Sequence, residues 1–311
     1  MRITEFPDIN WLRRKAQTNF QDKEGIRGIK LNHVGWPSIV LNTNSWGAER
    51  TNIRGTFSLF LNLEGTSIVR SSGRSFKVGT HNFALTELGN DYDLIIPEGA
   101  KTNTFNIHFG EHLFREAVNS LELNHRQSLD LEEGKQSLPG LTRSRIRTPH
   151  LNNQLLKLYN HYQRRGTDDA EEVLMSELID YLLTSNEKEW RGKESIDCLK
   201  KSTGDELMRR LQLACDLMHQ CYNREISLEE MSKVSMLSKF HFLRTFKEAF
   251  GMTPQSYKRL LQLKQAEMLI RTTETSVKDV AEQVGFQESN SLIRSFTRHF
   301  GTSPKRYRLA R

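Results

Sequence analysis

The sequence predicts an α+β chain in which an antiparallel β-barrel with flanking helices precedes an all-α domain. Three observations support this prediction. Seven short β-rich runs, separated by turn residues, occupy residues 38–109. Helical periodicity replaces them after Gly110. Beyond Asp205 almost the whole chain is helical in pattern, and one helical unit occurs there twice. With 311 residues the chain is long enough for about two domains.

The predicted strands lie at residues 38–42, 57–62, 67–70, 75–78, 83–86, 92–96 and 105–109. Short strands at this spacing are typical of an antiparallel barrel or sandwich. Helices are predicted near residues 113–121, 151–163 and 168–184. The last two carry apolar stripes that include Leu155, Leu158, Leu178 and Leu182. Such stripes favour packing within the domain, and a homodimer interface is the alternative.

A charged stretch without periodicity, containing Gly192 and Gly204, covers residues 185–204 and is interpreted as an interdomain linker. The predicted organisation is a first domain at residues 1–185, a linker at 186–204 and a second domain at 205–311. Within the second domain, residues 255–271 are predicted to form one continuous helix that joins the two copies of the repeat.

Composition and charge restrict the class of protein. Hydrophobic residues make up 36% of the chain, and no apolar run approaches the roughly 18 residues of a membrane span. The N-terminus lacks the pattern of a secretory signal, so we expect a cytoplasmic protein without a membrane partner. Cys198, Cys215 and Cys221 form no C-x-x-C motif, which argues against disulfides and zinc. The formal charge of +7 lies entirely in residues 195–311, as expected of a polyanion binder.

The internal repeat is the most informative motif. The stretch Phe246-x3-Phe250-Gly251-x-Thr253-Pro254-x-x-Tyr257 recurs 50 residues later as Phe296-x3-Phe300-Gly301-x-Ser303-Pro304-x-x-Tyr307. Each copy has the layout of a helix-turn-helix unit. We predict that Ser227, and either Thr275 or Ser276, cap the first helix of each copy, with Glu230 completing a capping box after Ser227. Gly285 suits a left-handed turn, whereas Met236 does not, so the first turn is predicted to bend differently.

A projection of the second helices at about 100° per residue separates an apolar side from an outward face. The outward residues of the first copy are Lys239, Phe240, Leu243, Arg244 and Lys247; those of the second copy are Asn290, Ile293, Arg294, Thr297 and Arg298. Such faces can enter a DNA major groove, where Arg pairs with guanine, Asn with adenine and apolar groups with the thymine methyl. The alternative is the solvated face of an ordinary helical domain. That alternative explains neither an exposed Phe240 nor a unit that ends twice in Gly-x-Ser/Thr-Pro.

Residues 205–311 resemble the DNA-binding domain of the AraC/XylS family of bacterial transcription regulators. The resemblance rests on Val280-Ala281-x-x-Val284-Gly285-Phe286, on Arg294-x-Phe296 and on the repeat's second end with Arg308. It implies base-reading positions at Phe240, Leu243 and Arg244, and at Ser289, Asn290, Ser291 and Arg294. The predicted DNA-binding residues are therefore Lys239, Phe240, Leu243, Arg244, Lys247, Ser289, Asn290, Ser291, Arg294 and Arg298. The first set is the more apolar. We expect it either to contact thymine methyl groups or mainly to anchor the domain on DNA.

The resemblance implies a sequence-specific transcription activator, controlled by a small-molecule effector bound in a cupin-like N-terminal domain. The expected partners are a double-stranded DNA operator, RNA polymerase, the effector and a second copy of the chain. An effector-independent or architectural DNA-binding protein is the alternative. A cupin-type enzyme is the weakest reading, because His81, His108 and His112 form no His-x-His pair. We therefore expect no catalytic residues, no metal and no cofactor.

Overall fold

The computed structural model describes residues 2–18, 35–125, 141–164, 168–190 and 201–309. They divide into two compact units. Unit 1 comprises Met1–Ser144 and Leu151–Asn186, and unit 2 comprises Arg145–His150 and Glu187–Arg311. Unit 1 is rich in strands and unit 2 is helical, so the predicted α+β class is confirmed.

Unit 1 begins with a short strand and helix that precede the main run of strands. The strands are β1 (Arg2–Ile3), β2 (Ile39–Ser45), β3 (Ala48–Arg54), β4 (Ser58–Phe60), β5 (Asn62–Glu64), β6 (Ser67–Ser71), β7 (Arg74–Val78), β8 (Asn82–Thr86), β9 (Asp91–Ile96), β10 (Thr102–His108) and β11 (Arg143–Ile146). The helices are α1 (Ile9–Gln17), α2 (Glu111–His125), α3 (Pro149–Gln163) and α4 (Asp168–Trp190). Every predicted strand is present, although the run at 57–62 is divided between β4 and β5.

The strands form two sheets. One has the order β1-β2-β10-β4-β8-β11, with β5 also paired to β10, and the other has the order β3-β9-β6-β7. Neither sheet closes on itself within the described residues, so the predicted closed barrel is wrong. Strand β7 lies at the edge of its sheet, and side-chain amides rather than a further strand bond to the backbone at its end. Asn62 donates to the Val78 carbonyl at 2.9 Å, and Asn82 accepts from the Gly79 N–H at 2.7 Å.

The apolar stripes on α3 and α4 pack within unit 1. Leu155, Leu158, Leu178 and Leu182 are buried in one cluster with sheet residues such as Phe105. Burying a leucine side chain stabilises a fold by about 1.5–3 kcal/mol, so these four contribute substantially to unit 1. The part of the stripe that faces solvent includes Val173, which is 57% exposed.

A cavity of about 30 Å³ lies in unit 1, and its walls are mostly apolar side chains, among them Phe6 and Trp36. This volume accommodates one or two water molecules rather than a drug-sized ligand. Arg50, Tyr92 and His108 also line it. His108 accepts or donates a hydrogen bond with Ser58 Oγ at 2.9 Å through Nδ1, and its burial lowers the pKa of the imidazole to about 4. His108 is therefore a neutral core residue at physiological pH.

Unit 2 contains α5 (Lys201–Cys221), α6 (Leu228–Val234), α7 (Lys239–Phe250), α8 (Pro254–Thr272), α9 (Val277–Gln283), α10 (Ser289–Phe300) and α11 (Pro304–Leu309). The predicted N-caps are confirmed, with Ser276 rather than Thr275 before α9. Ser227 Oγ accepts the Glu230 N–H at 3.0 Å, and Ser276 Oγ accepts the Asp279 N–H at 3.1 Å. These bonds satisfy backbone donors that a helix cannot satisfy internally.

The turns between α6 and α7 and between α9 and α10 have the same conformation. Met236 has a φ of 53° and Gly285 a φ of 80°, so the prediction that the first turn bends differently is wrong. Both residues donate to a carbonyl three residues back at 3.0 Å, on Lys233 and on Glu282. The surrounding helices impose the left-handed conformation on Met236, at a cost of about 1–2 kcal/mol relative to a relaxed backbone.

An upstream segment completes the core of unit 2. The Ile146 N–H donates to His219 Nδ1 at 2.9 Å, and the Ile146 side chain is buried in the cluster formed by the helices of this unit. Arg145 and Asp216 form a buried ion pair at 3.4 Å. Helix α4 ends at Trp190 and α5 begins at Lys201, so both ends of the predicted linker at 186–204 are helical. Residues 191–200 of that linker lie outside the described residues.

The two turn positions predict opposite effects on stability. A Cβ at Gly285 would lie 2.3 Å from the Asn223 carbonyl oxygen, so Gly285→Ala should lower the free energy of unfolding by about 2–4 kcal/mol. Met236→Gly should raise it by up to about 1 kcal/mol, because relief of backbone strain exceeds the entropy that glycine adds to the unfolded chain. Urea unfolding followed by far-ultraviolet circular dichroism measures both. If both substitutions changed the free energy of unfolding in the same direction, the two turns would not share the left-handed conformation.

The buried His108 predicts a pH dependence for unit 1. Its pKa is about 4 in the folded state and 6.5 in the unfolded chain, so below pH 6.5 the unfolded state binds the extra proton. Stability from this group is complete above pH 6.5 and is lost as the pH falls toward 4, by on the order of 3 kcal/mol. Tryptophan fluorescence during urea unfolding measures it at several pH values.

His108→Gln is the matched control for this pH dependence, because glutamine has no group that titrates in this range. The variant should lose less stability than the wild type between neutral pH and pH 4. Carboxylates titrate in both proteins and cancel in the comparison. Parallel pH profiles for the two proteins would show that His108 does not contribute.

Candidate nucleic-acid interface

Each second helix of the repeat is fastened by three aromatic rings, called here an aromatic triad. In the first copy the ring centroids of Phe246 and Phe250 are 4.5 Å apart, and Tyr257 lies 5.7 and 5.6 Å from them. In the second copy the centroids of Phe296 and Phe300 are 4.4 Å apart, and Tyr307 lies 5.4 and 5.6 Å from them. These distances are typical of tilted and edge-to-face aromatic pairs. The triad explains why the same residues recur at the same spacing in both copies.

Helix α8 contacts both copies and is one continuous helix, as predicted. It supplies Tyr257 to the first triad, and that hydroxyl forms a 3.0 Å hydrogen bond with His219 Nε2. It also supplies Glu267, which accepts a 2.7 Å hydrogen bond from the Tyr307 hydroxyl of the second triad. Between them, the buried Gln262 amide donates to the carbonyls of Tyr222 and Gly285 at 3.0 and 3.2 Å. The two helix-turn-helix units are thus attached to a common support.

The outward face of α7 is exposed along its length. Its members are Lys239, Phe240, Leu243, Arg244 and Lys247. Phe240 is 84% exposed, whereas Phe242 and Phe246 on the opposite side are fully buried. The helical projection of the sequence therefore separated the two sides of this helix correctly.

Acidic neighbours pair with two of the three cations on α7. Arg244 Nε lies 3.3 Å from Glu248 Oε1, and Lys239 Nζ lies 3.0 Å from Glu229 Oε2. The hydrogen bond from Lys239 also lowers the pKa of the Glu229 carboxyl. Such exposed pairs stabilise a protein by only about 0–1 kcal/mol, so a phosphate or base can displace them. The sequence analysis did not identify these carboxylates, although Glu248 follows Arg244 by one helical turn.

The outward face of α10 is more polar and carries a freer positive charge. Asn290, Arg294 and Arg298 are exposed, and Ser289 and Ser291 are half-buried in the first turn. Neither arginine forms an ion pair within the described part of the chain. The repeat places Arg298 where the first copy has Glu248. The first copy thus has the carboxylate of Glu248 one turn after Arg244, whereas the second copy has a second cation, Arg298, one turn after Arg294.

The predicted DNA-binding residues therefore lie on two outward helix faces, and their binding to DNA stays a prediction. Within the described residues, no group of three or more His, Cys, Asp and Glu side chains is arranged to hold a metal ion. None of the described helices is long and apolar enough to cross a membrane.

Comparison with known proteins agrees with this geometry. Residues 231–310 match the family described as "Helix-turn-helix domain". Over 90 residues the chain is 38% identical to the HTH-type transcriptional activator RhaS of Enterobacter sp. (strain 638), covering 29% of this chain and 32% of that protein. Over 98 residues it is 29% identical to the lactose operon transcription activator of Staphylococcus xylosus, covering 32% and 35%.

Among solved structures, a probable AraC family transcriptional regulator from Rhodopseudomonas palustris CGA009 shares 19% sequence identity with a TM-score of 0.31. That alignment covers 33% of this chain and 96% of the other. The chain spans about a third of the length of the two curated relatives named above.

The matched residues are those that form the two helix-turn-helix units and their aromatic triads. The two matched relatives are transcription activators. The C-terminal region of the chain thus contains a helix-turn-helix domain, and it is similar to transcription activators such as RhaS.

Proposed function

We propose that this chain is a sequence-specific transcription activator whose DNA binding is controlled by a small-molecule effector in unit 1. The observation that carries the sequence-specific part is the face of α10, where Asn290, Arg294 and Arg298 are exposed together on a helix held from behind. A DNA-binding helix needs this combination, because side chains can read bases only when the backbone behind them is fixed.

The residues on the two faces have different proposed roles. Arg294 pairs with guanine through two parallel hydrogen bonds, and Asn290 pairs with adenine in the same manner. Lys239, Lys247 and Arg298 contact phosphates, and Ser289 and Ser291 hydrogen bond at the start of α10 to the backbone or to a base edge. Helix α8 fixes the distance between α7 and α10, which must be about 34 Å for both helices to enter successive major grooves.

The regulatory part of the proposal concerns unit 1. Its two sheets are proposed to form a cupin-like sensor domain at residues 1–185, with residues 186–204 as the linker and 205–311 as the DNA-binding domain. The small cavity beside Arg50, Tyr92 and His108 is a starting point for an effector site, and it would have to expand to admit one. The relatives' names as activators support activation, and hence contact with RNA polymerase. A homodimer is proposed, and such a regulator works in the cytoplasm, where bacterial DNA lies.

An effector-independent or architectural DNA-binding protein is the second candidate function. Such a protein binds mainly through phosphates and does not need base-reading side chains. The unequal faces of α7 and α10 favour sequence-specific binding, since phosphate contacts alone would be served by two similar basic faces. Selection of duplexes from a randomised library by the 311-residue chain tests the difference, because an architectural protein enriches no sequence.

Arg294→Ala should weaken binding to a selected duplex by about 1–3 kcal/mol and relax the preference at one base pair. The reason is that the lost guanidinium forms bonds that only guanine offers. Fluorescence anisotropy with the selected duplex and with single-base variants measures both effects. The side chain is exposed, so the fold should be unaffected.

Arg298→Ala is the matched control on the same helix face. It should weaken binding similarly on every duplex and reduce the salt dependence by about one counterion, as expected for a phosphate contact. If Arg294→Ala instead weakens binding to all sequences equally, its assignment as a base-reading residue is wrong.

A further inference from the structure

The first helix-turn-helix unit has an exposed apolar patch that the fold does not require. The patch consists of Met236, Phe240 and Leu243, which are 64%, 84% and 36% exposed. Phenylalanine is usually buried, and apolar side chains that are exposed together can mark an interaction surface. Two phenylalanines of the core, Phe242 and Phe246, are fully buried on the other side of α7.

The repeat determines which surface the patch occupies. Counting back 50 residues from α10 places Phe240 at the position of Asn290, Leu243 at that of Ile293 and Arg244 at that of Arg294. Equivalent aromatic triads hold both helices, so the same face of each is presented outward. The patch therefore lies on the base-reading face of the first unit, if α10 reads bases as proposed above.

We propose that the patch reads thymine, by contact of Phe240 and Leu243 with the C5-methyl group in the major groove. This inference rests on the proposed function and assigns the base that the first unit recognises. Phe240 has no donor or acceptor, whereas every base edge in the major groove offers at least one hydrogen-bonding group. Only thymine also offers an apolar group there. Placing the ring against guanine, adenine or cytosine would desolvate a polar atom without replacing its hydrogen bond.

The charges around the patch favour DNA over a protein partner. Lys239, Arg244 and Lys247 lie on the same face as Phe240 and Leu243. Lysines are depleted in the cores of protein–protein interfaces, whereas a groove is lined by phosphates on both sides. The exposed pairs with Glu229 and Glu248 can exchange for phosphate contacts at little cost.

The test uses the 311-residue chain and a duplex that it has enriched from a randomised library. Each thymine is replaced in turn by uracil, which removes the C5-methyl group and keeps every hydrogen-bonding atom. For the wild type, uracil at one or two positions of one half-site should weaken binding by about fourfold per methyl group. Two further duplexes carry 5-methylcytosine·G or unmethylated C·G in place of such a T·A pair. The chain should bind the methylated duplex more tightly, because its methyl group lies in the same groove as that of thymine.

Phe240→Ala identifies the residue responsible. The variant should bind the thymine duplex more weakly and should no longer distinguish thymine from uracil at the sensitive position. Because Phe240 is exposed, the fold should survive, and circular dichroism checks this. Arg294→Ala is the matched control: it weakens binding but should keep the full effect of uracil. Phe240→Asn, which copies the second unit, should also lose the response to the methyl group.

The outcomes separate this inference from the proposed function. If the chain enriches no sequence, the proposed function fails. If it enriches a sequence and uracil has no effect at any position, or the same effect in the wild type and in Phe240→Ala, only thymine reading is overturned. Unchanged DNA affinity of Phe240→Ala, with loss of self-association or of transcription in vitro, would also overturn it and assign the patch to a protein partner.

Discussion

The aromatic triad is the interaction on which the DNA-binding domain depends. It fixes the C-terminal half of each second helix against the helix that follows, through three rings whose centroids are about 4.4–5.7 Å apart. Glycine at position 251 or 301, with φ near +70°, then lets the chain turn back sharply enough to place the tyrosine under the two phenylalanines. Because this packing lies on one side only, the other side of the helix is free to change.

That freedom accounts for the difference between the two units. Their buried sides keep the same residue types at the same spacing, while their outward sides have diverged from Phe240 to Asn290 and from Glu248 to Arg298. Exposed positions have small effects on folding stability, so selection on them acts mainly through binding. Helix α8 supplies Tyr257 to the first triad and the hydrogen-bond partner Glu267 to the second, which holds the two outward faces in a fixed relation whatever bases they contact.

Sequence reasoning predicted unit 2 better than unit 1, for identifiable physical reasons. The repeat in unit 2 shows the same helical pattern twice, so each copy supports the interpretation of the other. The helix caps and the buried and outward helix faces follow from residues close together in sequence. Strand β3 was missed because only Ile53 among its residues is buried, so the strand shows no alternation. The division of the strands into two open sheets involves long-range contacts, such as the hydrogen bond from Asn62 to the Val78 carbonyl, and no local sequence pattern reveals such contacts. Met236 shows the same limit, since its left-handed turn is imposed by tertiary packing. The helical projection predicted the outward residues of the candidate site, but it did not predict that Glu229 and Glu248 pair with two of its cations.

The segment at residues 145–150 has a consequence for how this domain is studied in isolation. A fragment that begins in the linker contains both helix-turn-helix units, yet it lacks Arg145 and Ile146. In that fragment Asp216 loses its buried ion pair, His219 loses the N–H that its Nδ1 accepts, and the core loses a buried isoleucine. The helix that supports Tyr257 through His219 would then be less firmly held. The compact helical unit is therefore discontinuous in sequence, and its boundaries cannot be drawn by a single cut.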